Sequence, residues 1–207
     1  MKDATRITIE SYDRIAQQFA NKVANLHHTG EYEKFLGYVP EGGKILDLGC
    51  GSGRDAKVFS EKGYEVTGID RSKELLKIAR ETAPKAQFFE MDILYLSYPD
   101  QTFDGIWAAS SILHLPKKEV PRCLKEAYNV LKPEGALYVC VKKGDGEKLE
   151  PDLRYGPKIS RHYSYFQPDE LQGMLEQAGF SVLEKKLLKP ESEYLKNTEI
   201  RLFAKKD

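Results

Sequence analysis

A short apolar run, Ile45, Leu46 and Leu48, breaks directly into Gly49-Cys50-Gly51-Ser52-Gly53, and this junction constrains the fold more than any other stretch of the chain. Glycines so close together permit a turn too tight for side chains and let a ligand approach the backbone. A helix is expected behind the loop to about Lys62, with Asp55 in its first turn and Gly63 as its stop. Strand, loop and helix together open an α/β unit whose ligand lies beyond the C-terminal end of the strand.

The alternation then repeats. Residues 64–69 read as a second strand, and Ser72 as the N-cap of a helix with Leu75, Leu76, Ile78 and Ala79 on one face. Residues 86–90 read as strand three and Phe103 to Ala109 as strand four. A helix from about 117 to 131 buries Val120, Cys123, Leu124, Ala127 and Val130, Pro133-Glu134-Gly135 turns the chain, and 136–142 is strand five. Such alternation predicts a parallel sheet covered on both faces, with right-handed crossovers. The end differs. Pro168 opens a helix with Asp169 and Glu170 in its first turn and Leu171, Met174, Leu175 and Ala178 on its buried face, and Gly179 stops it. The runs at about 180–187 and 198–204 leave no room for a helix between them, so they should pair antiparallel.

Two segments stand outside this pattern. Residues 12–26 carry Ile15, Ala16, Phe19, Ala20 and Val23 at helical spacing, and a short helix is expected over 31–38 before Pro40, Gly42 and Gly43. Residues 1–40 thus form a helical cap. The stretch 143–167 is too long for an ordinary connection and reads as a lid-like insertion. A chain of 207 residues suits one domain.

Charge narrows the partners. The chain has 32 basic and 32 acidic residues, so it lacks the basic excess that marks a nucleic-acid or anionic-membrane binder. The pairs Lys117–Lys118, Lys142–Lys143, Lys185–Lys186 and Lys205–Lys206 read as solvated element ends. No stretch approaches the ~20 apolar residues of a membrane span, and Met1 to Glu10 lacks the apolar run of a signal peptide, which points to the cytoplasm. Cys50, Cys123 and Cys140 are odd in number and widely spaced, so neither a disulfide framework nor a metal site is expected. Cys123 and Cys140 read as small core residues.

The loop favours a particular ligand. A dinucleotide fingerprint needs its third glycine at position 54, which is Arg54. Asp47 stands two places before the first glycine, where it suits an ammonium group and would repel a pyrophosphate. The free N–H groups of the following helix suit a carboxylate. Asp70 ends strand two and can accept both hydroxyls of a ribose. Asp92, in Met91-Asp92-Ile93, can accept from the exocyclic amine of adenine while its neighbours pack near the ring. S-adenosylmethionine combines an ammonium, a carboxylate, a ribose diol and an adenine without phosphate.

With these residues in place, the sequence resembles the class I S-adenosylmethionine-dependent methyltransferases of the small-molecule type. The resemblance covers nearly the whole chain and is carried by Ile45 to Gly53, Val66 to Asp70, Met91-Asp92, Phe103 to Trp107 and Leu131 to Gly135. It implies a Rossmann-like, doubly wound seven-stranded sheet in the order 3-2-1-4-5-7-6, with strand seven antiparallel. It further implies methyl transfer from S-adenosylmethionine to O, N or S of a small molecule, with S-adenosylhomocysteine as product. Asp47, Gly49, Cys50, Gly51, Ser52, Gly53, Asp70, Arg71, Met91, Asp92, Ile93, Ala108 and Ser110 are the expected cofactor residues. The run Ala108 to Leu115 would lie beside the sulfonium. There His114 is the candidate general base, set against a reading as a packed histidine bonded to backbone. Tyr12, in Tyr12-Asp13-Arg14-Ile15-Ala16-Gln17-Gln18-Phe19, would cap the cofactor near the methyl group. Trp107 reads as core or pocket wall.

Absences also speak. Amino methyltransferases of adenine and glutamine carry an Asn/Asp-Pro-Pro-aromatic run after strand four, where this chain has Ala109-Ser110-Ser111-Ile112. Cytosine-C5 enzymes need a nucleophilic cysteine in that region, and none is there. The insertion holds Arg154, Tyr155, Arg161, His162, Tyr163, Tyr165 and Phe166, which suit an anionic or aromatic acceptor, with Arg161 or Arg154 expected on its carboxylate. A nicotinamide oxidoreductase, a non-catalytic S-adenosylmethionine-binding protein, and a methyltransferase of tRNA or protein are the alternatives. The oligomeric state is not readable from the sequence.

Overall fold

The computed structural model describes residues 2–26, 29–189 and 197–207. Residues 1, 27 and 28 of the expected cap, and part of the connection between the last two strands, lie outside them. In chain order the first elements are α1 (Lys2–Val23), α2 (Thr29–Leu36), β1 (Lys44–Leu48), α3 (Arg54–Glu61), β2 (Glu65–Asp70), α4 (Lys73–Thr82) and β3 (Gln87–Glu90). Then come β4 (Phe103–Ala109), α5 (Val120–Val130), β5 (Leu131–Lys142), β6 (Glu147–Pro151) and β7 (Ser160–Ser164). The chain closes with α6 (Pro168–Gln177), β8 (Phe180–Leu188) and β9 (Glu199–Lys206).

Among the described residues the main sheet has seven strands in the order β3-β2-β1-β4-β5-β9-β8. Strands β1 to β5 are parallel, while β9 runs antiparallel to both β5 and β8. This is the expected order once the extra hairpin β6–β7 is counted apart. Both faces of the sheet are covered, so its strands are apolar on both sides. On one face Leu46, Leu48, Ile106 and Val139 pack with Leu124 and Ala127 of α5 and Leu171 of α6. On the other, Ile45, Trp107 and Tyr138 pack with Phe35 of α2 and Phe59 of α3. Cys123 and Cys140 are buried in these two clusters, as expected of small core side chains.

Three elements differ from the sequence reading. Helix α1 begins ten residues earlier than its apolar periodicity suggested, at Lys2. The extra turns are held by buried polar contacts to β7: the Ser11 hydroxyl donates to the Ser160 carbonyl at 2.7 Å, and the His162 amide donates to the Thr8 hydroxyl at 2.8 Å. The Pro133-Glu134-Gly135 turn is a bulge inside β5, where pairing with β4 jumps from Phe103–Leu131 to Gly105–Ala136 and Glu134 has φ 61°. The insertion at 143–167 contains an antiparallel hairpin that packs against α1.

Ser72 ties the cap to the sheet domain. Its hydroxyl accepts from the Leu75 amide at 3.2 Å, which caps α4, and donates to Asp13 Oδ1 of α1 at 2.6 Å. Ser72→Ala removes both bonds. It should destabilise the protein by about 1–2 kcal/mol, read as a thermal midpoint lowered by roughly 2–8 °C.

Candidate active site

The glycine loop is shaped by its neighbours. The Gly49 and Cys50 amides both donate to the Ile69 carbonyl at 2.9 Å, which pins the end of β1 to the end of β2. Gly49 has φ 79°, and a β-carbon there would stand 2.4 Å from the Ser111 β-carbon. Only glycine meets both conditions. Ser110, just before Ser111, is itself in the left-handed region at φ 59° and folds the segment after β4 back over the loop. A non-glycine residue held there marks a spot that its surroundings over-determine, as functional sites often are.

Three strand ends bring acids to this loop. Asp70 Oδ2 accepts from the Gly51 amide at 2.9 Å and Oδ1 from the Ser72 amide at 2.8 Å. An ionised carboxylate has about four acceptor sites, so both oxygens keep capacity for a ligand. Burial pushes the Asp70 carboxyl up from the usual range, and the backbone donors pull it partly back. Asp92 accepts from the Leu94 amide at 3.0 Å through Oδ1 and from Arg71 at 3.0 Å through Oδ2. Met91, Asp92, Ile93 and Leu94 all line the cavity above the strand ends, together with Gly49, Cys50, Gly51, Ser52, Asp70, Arg71 and Ser110. That cavity holds about 1650 Å³. A single small-molecule pocket is typically ~300–1,000 Å³, so there is room for two ligands.

Two expected cofactor residues stand elsewhere. Ala108 has no exposed surface and lies in the core beneath the sheet end, because the alternation of β4 turns it away from the cavity. Gly53 supports the loop from behind: it has φ 79°, and a β-carbon there would come within 2.9 Å of Ala79 Cα in α4.

Asp47 is almost fully buried, below the loop rather than in the cavity wall. Its carboxylate accepts from the Ala56 amide in the first turn of α3. Its Oδ2 has no hydrogen-bond partner among the described residues. Burial, followed by the nearby Asp55 and Asp70, pushes this carboxyl well up, while Arg54 and the Ala56 amide act the other way. By sequence Asp55 is a residue of the first helical turn. It is in fact a buried hub, bonded to the Tyr32 hydroxyl at 2.6 Å, Trp107 Nε1 at 2.9 Å and Arg54 at 2.6 Å. Trp107 is therefore core, stacked on Tyr138 at 3.9 Å.

The second half of the cavity is built by α1 and the hairpin. The Tyr12 hydroxyl lies 2.9 Å from His114 Nε2, and His114 Nδ1 lies 2.7 Å from the His162 carbonyl. A carbonyl only accepts, so Nδ1 carries the proton and Nε2 accepts from Tyr12. Tyr12 in turn accepts from Arg161 Nη1 at 2.7 Å, and Arg161 Nη2 donates to the buried Asp152. From Arg161 the donors run one way, Arg161 to Tyr12, Tyr12 to His114 and His114 to the His162 carbonyl, while the second guanidinium nitrogen donates the other way to Asp152. Burial first, and then the Arg161 charge, lower the His114 pKa to about 3.

The sign of the linkage follows. The unfolded chain takes up a proton on this histidine near its ordinary pKa of ~6.5, whereas the folded protein does not until about pH 3. The contribution of His114 to stability is thus present above pH ~6.5 and is lost as pH falls toward 3. In urea unfolding, the wild type should lose roughly 2 kcal/mol more than His114→Gln between pH 7.5 and 5. Parallel losses in the two proteins would refute the assignment.

The arginines expected to hold an acceptor carboxylate are engaged within the protein. Arg154 pairs with Asp152 at 2.6 Å, and Arg161 pairs with the same carboxylate. The lysine pair at 142–143, read as a solvated strand end, holds instead a cavity-lining cation. Lys142 Nζ sits 3.3 Å from the centroid of Tyr163. Burial and the nearby Arg161 lower its pKa to about 8. The sequence held one signal for it: Lys142 is the last residue of the strand beside β4, whose end carries Ser110.

Comparison with known proteins matches this geometry. A family model described as a methyltransferase domain matches residues 45–135. The 2-methyl-6-phytyl-1,4-hydroquinone methyltransferase of Synechocystis is 34% identical over 60% of this chain and 40% of its own. A demethylmenaquinone methyltransferase of Tropheryma whipplei is 29% identical over 82% of this chain and 81% of its own. Among solved structures, an S-adenosylmethionine-dependent methyltransferase from Methanosarcina mazei superposes with a TM-score of 0.77 at 26% identity, covering 84% of this chain and 97% of that one. The chain spans about half the length of the first curated relatives it matches.

Proposed function

We propose that this chain is a class I S-adenosylmethionine-dependent methyltransferase that methylates O, N or S of a small acceptor, a reading supported by the methyltransferase-domain match and the structural likeness. The observation that carries the reading is the orphaned Asp47 Oδ2 beneath a glycine loop whose flanking strand ends present Asp70 and Asp92. Asp47 lies beneath the loop and outside the cavity wall, so with Asp55 and Asp70 it favours positive charge above the loop through the local field and not by direct contact. Asp70 keeps acceptor sites for a ribose diol, and Met91, Ile93 and Leu94 supply the apolar walls that an adenine needs. The residues present therefore fit S-adenosylmethionine.

In this reading Gly49, Cys50, Gly51 and Ser52 shape the backbone around the amino-acid end of the cofactor. Arg54 and the first turn of α3 face its carboxylate. Asp70 holds the ribose, Asp92 with Arg71 borders the adenine, and Ser110 closes the loop from the β4 side. When bound, the cofactor supplies an electrophilic methyl group on a cationic sulfonium. The protein's task is then positioning and exclusion of water. Tyr12 presents its hydroxyl to the acceptor side. His114, neutral at working pH, accepts from Tyr12 and holds its direction. So weak a base is a poor proton acceptor near pH 7, and we assign His114 to positioning.

Residues 1–207 act as one methyltransferase domain in this proposal, with 1–40 and 143–167 as its cover. The acceptor is small, anionic or aromatic, and the setting is the cytoplasm. In support, no helix among the described residues is long and apolar enough to cross a membrane. The test uses methyl-labelled S-adenosylmethionine with a panel of small hydroxy, amino and thiol acids. Label transfer to any member supports the proposal. No transfer, with no calorimetric binding of the cofactor, would sink it.

A further inference from the structure

The hairpin side of the cavity has an unusual charge arrangement. The ionised groups acting on Lys142 are Arg161, Glu150, Arg154 and Lys148. Arg161 and Arg154 share Asp152, and Glu150 is held by Lys148 at 2.6 Å and by the Tyr165 hydroxyl at 2.8 Å. The Lys142 ammonium makes no ion pair or hydrogen bond among the described residues. Its ammonium faces the ring of Tyr163, lies 5.9 Å from the centroid of Tyr165, and lines the cavity.

The wall beside it is aromatic. The Tyr12 and His114 rings meet edge to face at 5.4 Å, and the His114 and Tyr163 rings lie 5.0 Å apart. Tyr12, His114 and Tyr163 all line the cavity. A planar molecule against this wall would place a substituent at the ammonium of Lys142. One compact cation that lacks a carboxylate partner matches one negative charge. A phosphate dianion at the same place would keep one negative charge unmatched, because Arg154 and Arg161 pair with Asp152.

We propose that Lys142 is the specificity-determining residue of the acceptor subsite, and that the acceptor is a planar, aromatic monocarboxylate whose carboxylate pairs with Lys142 Nζ while its ring lies along Tyr12, His114 and Tyr163. This rests on the methyltransferase reading for the identity of the second ligand. It also reassigns the anion contact from the arginines of the hairpin to the end of β5.

The test is calorimetric titration of benzoate and of its neutral isostere benzamide into the intact protein saturated with S-adenosylhomocysteine. Wild type should bind benzoate at least about tenfold more tightly than benzamide, the size expected of one charge-assisted contact. Lys142→Met, which keeps the aliphatic stem, should lose that preference. Lys142→Arg should keep it within about threefold. Equal binding of the two probes by wild type, or no benzoate binding, would overturn the proposal without any variant. Full benzoate preference in Lys142→Met would also overturn it. Binding of S-adenosylhomocysteine to the same wild-type sample is read first and separately. If it binds and benzoate does not, the subsite assignment fails and the methyltransferase reading stands. If it does not bind, the methyltransferase reading fails, and the acceptor role of Lys142 with it.

Discussion

Asp70→Ala is expected to weaken S-adenosylhomocysteine binding by at least about a hundredfold in calorimetry. Two charge-assisted hydrogen bonds to a ribose diol contribute roughly 1.5–3 kcal/mol each, which converts to about 10²–10⁴ in affinity. The carboxylate also holds the Gly51 and Ser72 amides at 2.9 and 2.8 Å, so its removal loosens the loop that forms the rest of the site. Asp70→Asn separates the two effects. An amide keeps one acceptor oxygen but turns its other end toward a backbone N–H as a donor, so the loop contact is partly lost and affinity should fall between wild type and Asp70→Ala. Undiminished binding in Asp70→Ala would remove the ribose assignment.

Gly49→Ala is expected to be the most damaging single methyl group in the site. The new β-carbon would meet the Ser111 β-carbon at 2.4 Å, in a backbone conformation with φ 79° that alanine rarely adopts. Strain and overlap together should cost about 3 kcal/mol, or a thermal midpoint lowered by roughly 6–12 °C in a chain of this size. Relief requires the segment after β4 to move, and Ser110 and Ser111 with it. Cofactor binding should therefore fall even at temperatures where the variant is folded. Gly51→Ala is the contrast, because a β-carbon there finds its nearest neighbour, Phe19, at 3.7 Å. It carries the backbone strain of φ 53° without the collision. Equal stability of the two variants would show that the Ser111 contact is not what fixes position 49.

The sheet was legible because its signals are local. Ile45, Leu46 and Leu48 announce a buried strand within a few residues, and Gly49 to Gly53 announce its turn. The absence of room between 188 and 198 for a helix was enough to require the antiparallel pairing of β8 and β9. Asp70 and Asp92 were found by the same logic, since a strand end in an open parallel sheet is a predictable place. Asp47 was recognised as important, but its burial beneath the loop and its bond to the Ala56 amide depend on how α3 seats against β1. Ala108 was misplaced by one step of strand alternation, which periodicity alone does not phase when both faces of a sheet are apolar.

The cover over the site was not legible in this way. Tyr12 and Arg161 are 149 positions apart, and Ser11 and Ser160 equally so. Composition showed that aromatic and basic groups gather at 143–167. It did not show that Asp152 would take both arginines, or that α1 would extend to Lys2 to meet β7. What the sequence by itself determined is the succession of strands and helices, the antiparallel pair at the end, the loop and the acids at the strand ends, because each rests on neighbouring residues and on one rule for where parallel strands deliver their ends; the strand order came from the family resemblance. What only the tertiary structure decided is which charges meet. Coulomb attraction and hydrogen bonding act over a few ångströms in space whatever the separation in sequence, so the pairing of Arg154 and Arg161 with Asp152, and the ammonium of Lys142 left facing the cavity, exist only once the hairpin has closed on α1.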